Sequence, residues 1–226
     1  MRERLVTIDG ARGEGGGQIL RTSLALSMIT QRRLVMQRIR AGRAKPGLRR
    51  QHLACVHAAA KLCGAEVRGD SVGSQDLEFA PGPIAARDLS IDIGTAGSTS
   101  LVVQTILVPA IVGGEPVTAT VIGGTHNPLA PPFDFLDRVF VPQLRAMGAD
   151  VTMTLDRYGF AVGGGKHDSH DHETLHRGQQ TITIGAGALR PIELVETGPI
   201  VSRKATAILA RLPAHVADRE HGVVRE

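Results

Sequence analysis

Along the first eighty residues, short runs of alternating hydrophobic and polar positions trade places with longer runs at helical spacing. Leu5 to Ile8 predicts a short strand, and Gln18 to Ile29 a helix that begins where a glycine-rich loop ends. "RLVMQRIR", Arg33 to Arg40, alternates as a second strand. Pro46 is placed to open a second helix and Gly64 to close it, because proline suits a first helical turn and glycine the left-handed residue after the last. Along that helix Leu48, His52, Cys55, Ala59 and Leu62 share one face. "AEVRG" and "LEFAPG" then form a closing hairpin, giving the order β-α-β-α-β-β.

The same order recurs about 82 residues later. Gly13 and Gly16 align with Gly94 and Gly97, each pair preceding a helix, and Gly42 and Pro46 align with Gly124 and Pro128. "GAEV" at Gly64 aligns with "GADV" at Gly148, and Phe79 with Phe160. A third unit is expected to begin at "QTITIG", Gln180 to Gly185. The units so defined are 1–82, 83–165 and 179–226, two complete and a third cut short, in an α+β fold.

With 226 residues, 42% of them hydrophobic and 21% charged, the chain has a globular composition. No tryptophan, one tyrosine and five phenylalanines predict an aliphatic core. Cys55 and Cys63, eight apart on one helix, stand roughly 12 Å from each other, too far for a disulfide. They are expected to be buried thiols of a reducing compartment. The N-terminus lacks the apolar stretch of a signal peptide, and the longest apolar run, Leu101 to Val112, is too short to span a bilayer. The expectation is a cytoplasmic protein without a membrane partner. Its net charge of +4 mildly favours a polyanionic one.

Four clusters offer chemistry. In "GARGEGGGQILR", Gly10 to Arg21, five glycines lead into a helix whose first N–H groups favour an anion. A dinucleotide loop would need glycine at Gln18, and a phosphate loop of the nucleotide hydrolases a Lys–Ser/Thr pair. Glu14 would repel bare phosphate, so its useful role is to hold a divalent cation bridging to phosphate oxygens, with Arg21 within reach of the same anion. The alternative is that the glycines only permit a tight turn. Both readings stand on spacing alone.

"RIRAGRAKPGLRRQH", Arg38 to His52, sets Arg38, Arg40, Arg43, Lys45, Arg49 and Arg50 in thirteen residues without one acid, a pattern suited to phosphate or to a solvated basic turn. "GTAGSTSLVVQTIL", Gly94 to Leu107, replaces acid with hydroxyls and carries a lone Gln104, either buried on backbone partners or facing a ligand. "GGTHNPLAPPFDF", Gly123 to Phe135, is stiffened by prolines 128, 131 and 132. Its His126 could by residue type be a nucleophile or acid, with nothing beside it in sequence to activate it. A histidine-rich stretch, Gly163 to Gly178, has donors for a divalent ion but no periodicity to fix them, and is expected to be a solvated loop.

"DGARGEGGGQILRTSLALSMIT", "IRAGRAKPGLRRQHL", "GSQDLEF", "GTAGSTSLVVQT", "GGTHNPLAPPFDF" and "LPAHVADRE" together resemble the RNA 3′-terminal phosphate cyclase family, in order from about Ile8 to Glu220. The resemblance implies that family's large domain and a ligase using ATP and Mg²⁺ or Mn²⁺. Such an enzyme adenylates its own histidine and passes AMP to the 3′-terminal phosphate of an RNA. The neighbouring 2′-hydroxyl then displaces AMP and leaves a 2′,3′-cyclic phosphate. It implies Glu14 as the metal-associated carboxylate near the ATP phosphates, and Arg21, Arg40, Arg43 and Gln51 as contacts to phosphate of ATP or of the RNA end. Gln104 is implied as an ATP contact and Pro131 as packing on adenine. None of the nine histidines, His126 and His215 included, matches the family's nucleophile. Hence a non-catalytic RNA-binding or ribosome-biogenesis factor of the same family is the alternative, and a small-metabolite transferase of related fold a second one. Self-association through the open edges of a shortened repeat is also expected.

Overall fold

The computed structural model describes residues 5–85, 87–160, 177–196, 198–209 and 212–225. They form two units, Met1–Pro191 and Ile192–Glu226. In the first, the observed elements are β1 (Val6–Asp9), α1 (Gly17–Thr30), β2 (Leu34–Gln37), α2 (Arg50–Cys63), β3 (Glu66–Arg68) and β4 (Leu77–Ala80). They are followed by β5 (Arg87–Asp92), α3 (Thr99–Gly113) and β6 (Val117–Gly123). Next come α4 (Phe133–Phe135), a π-helical segment (Leu136–Phe140), α5 (Val141–Ala146), β7 (Val151–Arg157) and β8 (Gly178–Ile184). In the second unit the described residues form one helix, α6 (His215–Arg225).

Two four-stranded sheets share one plan. Their orders are β1-β2-β4-β3 and β5-β6-β8-β7. In each, the first strand runs parallel to the second, and the remaining pairs are antiparallel. Both first strands end on an aspartate that bends the chain the same way. Ala11 N–H donates to Asp9 Oδ1 at 3.0 Å, and Gly94 N–H to Asp92 Oδ1 at 2.7 Å. The chain is thereby aimed from each strand end into the loop that precedes a helix. That is the α+β repeat architecture expected from the pattern.

Three departures have physical reasons. Pro46 does not open the second helix, because Gly47 N–H is bound to Ile39 O at 2.9 Å and Leu48 N–H to Ser74 O at 2.9 Å. Those non-local bonds keep the chain out of a helix through Arg49, and α2 begins at Arg50. It ends as expected, on Gly64 in the left-handed region. The strand read at Gln180 to Gly185 as the start of a third unit is β8, which pairs with both β6 and β7. Consequently Phe79 corresponds by register to Ile184 and not to Phe160. Phe79 lies opposite Leu34 and Val67, as Ile184 lies opposite Val117 and Val151.

The core is aliphatic, with Phe79 its largest fully buried side chain. Leu20, Leu24 and Met28 of α1, the inner face of α2, and Val102, Ile106 and Ala110 of α3 pack with the inner faces of both sheets. Each fully buried Leu, Ile, Val or Met among them contributes about 1.5–3 kcal/mol relative to exposure. Helices α1, α2 and α3 pack on one another, which brings their N-terminal ends and the loops before them together. Cys55 and Cys63 are free and buried, as expected.

Candidate functional site

The glycines show how closely the clusters meet. A Cβ on Gly17, at the start of α1, would sit 2.5 Å from His52 Nε2 and 2.9 Å from Arg21 Nη1. On Gly16 it would sit 3.5 Å from Arg43 Nη2. Across the gap, a Cβ on Gly97 would lie 3.1 Å from Gln51 Oε1, and one on Gly94 3.3 Å from Arg50 Nη1. The arginine turn thus lies between the two glycine loops. The fourth cluster joins them, since Asn127 Nδ2 donates to Ala96 O at 2.7 Å and Thr99 N–H to Gly124 O at 2.8 Å.

Glu14 is 87% exposed, and its Oε1 accepts from Arg43 Nη2 at 2.6 Å. An exposed pair of this kind is worth at most about 1 kcal/mol and can be exchanged for other partners. Arg21, half-buried on α1, donates from Nε to Gln104 Oε1 on α3 at 3.1 Å. Gln104 is therefore exposed and bound to a cation, not buried on backbone partners. Burial draws the Arg21 pKa below its ordinary value, yet a guanidinium stays charged at any working pH. Beyond Gln104 a cavity of about 160 Å³ is lined by Pro131, Leu101, Val108, Phe135 and Phe140 among others, mostly apolar. Its two sequence-read residues, Gln104 and Pro131, come from different clusters and meet only in three dimensions.

Arg40 and Gln51 brace the loops. Arg40 Nη1 donates to Lys45 O at 2.8 Å and to Gly47 O at 2.9 Å, holding a turn in which Arg38 and Arg40 themselves have φ of 55°. Gln51 Oε1 accepts the N–H of Ser98, the residue before α3, at 2.9 Å. His126, a candidate nucleophile or acid by residue type, is held inside its cluster by partners on both ring nitrogens. Its side chain is 13% exposed, Nδ1 meets Thr125 Oγ1 at 2.8 Å and Nε2 meets Asp134 Oδ2 at 3.0 Å. Its ring packs beside those of Tyr158 and Phe160, with centroids 5.4 and 5.1 Å away. The histidine-rich stretch lies, apart from Arg177 and Gly178, outside the described residues.

Sequence reasoning gave His52 only a place on the packed face of α2. In the structure its Nδ1 accepts the N–H of Arg49 at 3.1 Å, closing the start of the helix. Burial lowers its pKa from 6.5 to about 4, reinforced by Arg40, Arg21 and Arg49. The sign follows directly. Between about pH 6.5 and 4 the unfolded chain takes up a proton that the folded ring refuses, so stability is lost as pH falls through that window. The loss attributable to His52 is expected to be on the order of 2 kcal/mol. Urea denaturation of wild type and H52N at pH 7 and 4.5 isolates it. Equal pH slopes in the two proteins would contradict it.

The described residues thus form an α+β repeat in which two glycine loops flank an arginine turn, with the exposed Glu14 and an apolar cavity alongside. The family model described as RNA 3′-terminal phosphate cyclase matches residues 12–195. RNA 3′-terminal phosphate cyclase of Ectopseudomonas mendocina is 47% identical over 220 residues, covering 97% of this chain and 60% of that protein. The proteins of the same name from Koribacter versatilis and Salmonella typhimurium are 45% and 46% identical, with 96% of this chain covered in each case and 58% and 61% of theirs. The chain belongs to the RNA 3′-terminal phosphate cyclase family, and it spans about 60% of the length of these relatives. Among the described residues, no helix is long and apolar enough to cross a membrane.

Proposed function

We propose that these residues carry the ATP site and the RNA-end site of an RNA 3′-terminal phosphate cyclase. The observation that carries the reading is the Arg21–Gln104 hydrogen bond. It joins the glycine-rich start of α1 to the apolar cavity that contains Pro131. A nucleotide needs both ends of that path: cations and N–H groups for its phosphates, and an apolar slot for its base. In this reading Arg21 and Gln104 hold ATP, and Pro131 packs on adenine. Arg43, Arg40 and Gln51 serve the phosphate of the RNA end, the last two also holding the loops that shape it.

A divalent ion fits here in a limited way. Glu14 is the carboxylate beside Arg43, and no group of three or more His, Cys, Asp or Glu suited to a metal occurs among the described residues. Mg²⁺ or Mn²⁺ would be held by Glu14 together with phosphate oxygens, the usual division for Mg²⁺, and would supply charge neutralisation. The protein's own part is to exchange the Glu14–Arg43 pair for contacts to phosphate, freeing the acid for the ion and the guanidinium for the anion. Activation of the RNA phosphate as an adenylate gives the 2′-hydroxyl a good leaving group, so the residues here need only position groups and offset charge. Both ring nitrogens of His126 are engaged and His52 uses Nδ1 to close α2, and neither is assigned as nucleophile.

Filter binding with matched oligonucleotides tests the RNA half. An RNA ending in 3′-phosphate is expected to bind at least tenfold more tightly than one ending in 3′-hydroxyl, and Arg43→Ala to erase most of the difference. Equal affinity for both ends would favour a general RNA-binding factor. Competition by small phosphorylated acids would favour a metabolite enzyme.

A further inference from the structure

His52 has one nitrogen occupied and one free. Nδ1 accepts the Arg49 N–H, and an accepting Nδ1 in a neutral ring leaves the proton on Nε2. That Nε2 lies beside Gly17, where a Cβ would sit 2.5 Å from it. Arg21 Nη1 lies 2.9 Å from the same point. Among the described residues, Nε2 has no hydrogen-bond partner. At the helix start itself, Gly16 provides no side-chain cap. The groups whose charge reaches the ring are Arg40, Arg21 and Arg49, all cations. A second proton would add a charge to that cluster and break the bond from Arg49.

We propose that His52 is a further phosphate-binding residue, a neutral donor whose Nε2–H contacts a phosphoryl oxygen held between Gly17 and Arg21. This rests on the reading of the site given above and deepens it. The division of labour is chemical. Arginines attract the anion through charge, and a locked, uncharged N–H adds direction without adding to their mutual repulsion. Gly17 is needed for the same reason: any side chain would fill the space between the donor and the helix start. A histidine kept only to close α2 would use Nδ1 and nothing more.

Two variants separate these roles, because Asn places an acceptor where Nδ1 sits and Gln places an N–H where Nε2 sits. ATP·Mg²⁺ is titrated calorimetrically into the whole chain carrying H52N, H52Q or Arg21→Ala, with the melting temperature of each recorded. H52N is expected to keep the wild-type melting temperature and bind about tenfold more weakly. H52Q is expected to melt lower yet bind within about threefold of wild type. Wild-type affinity in H52N, or equal weakening in both variants, would overturn the proposal while Arg21→Ala still reports on the site. Failure of the folded wild type to bind at all would overturn the reading of the site, and this inference with it.

Discussion

Replacing Arg21 with alanine is expected to weaken ATP·Mg²⁺ binding by about a hundredfold, or about 2.7 kcal/mol. Two losses combine. The phosphate forfeits a charge-assisted hydrogen bond, worth about 1.5–3 kcal/mol, and Gln104 loses the partner that holds its amide beside the cavity. Arg21→Lys restores charge without the planar fork, so it should recover only part of the affinity. The melting temperature should change little, since the hydrogen bond lost is to the exposed Gln104. Wild-type affinity in a folded Arg21→Ala protein would remove Arg21 from the phosphate site.

Gly47→Ala is expected to destabilise the fold by about 3 kcal/mol or more. Gly47 has φ of +74°, which a Cβ makes unfavourable, and its Cβ would collide with the carbonyl of Gly73. That carbonyl cannot swing away. Gly73 N–H is bound to Leu48 O at 2.7 Å and Leu48 N–H to Ser74 O at 2.9 Å. For a chain of this size the expected fall in melting temperature is roughly 10 °C. Gly42→Ala in the same turn is the control, because a Cβ there meets nothing within 4 Å. A Gly47→Ala protein melting with the control would show that the turn yields freely. Since Arg40 donates to the carbonyl of Gly47, the same substitution should also loosen the arginine turn.

Elements set by local patterns were legible in the sequence. The glycine loop running into α1, the Gly64 cap of α2 and the matched "GAEV" and "GADV" turns all appear where their residues placed them. Pairing between distant strands was not. The segment 158–177 separates β7 from β8, so "QTITIG" read as a new beginning although its partners lie on both sides of it. The helix start at Pro46 failed for a similar reason, because bonds to residues 39 and 74 outweigh local propensity.

The site followed the same division. Residue types singled out the clusters, and the structure pairs Arg21 with Gln104 and Arg43 with Glu14. What spacing could not show was the second use of these side chains. Arg40 and Gln51 hold loops, Asp134 binds His126 from eight residues away, and the His52 tautomer depends on one backbone N–H. The nearest signal was the histidine three residues beyond Arg49 at a helix start, where a side-chain acceptor closes the first turn.

The central claim is that the glycine-rich start of α1, Arg21, Gln104 and the Pro131 cavity form one nucleotide site. Calorimetric titration of ATP into the purified chain, with and without Mg²⁺, tests it most directly. The expected result is a single saturable site that tightens with Mg²⁺ and loses that tightening in Glu14→Ala. A folded chain that takes up no ATP under either condition would contradict the account.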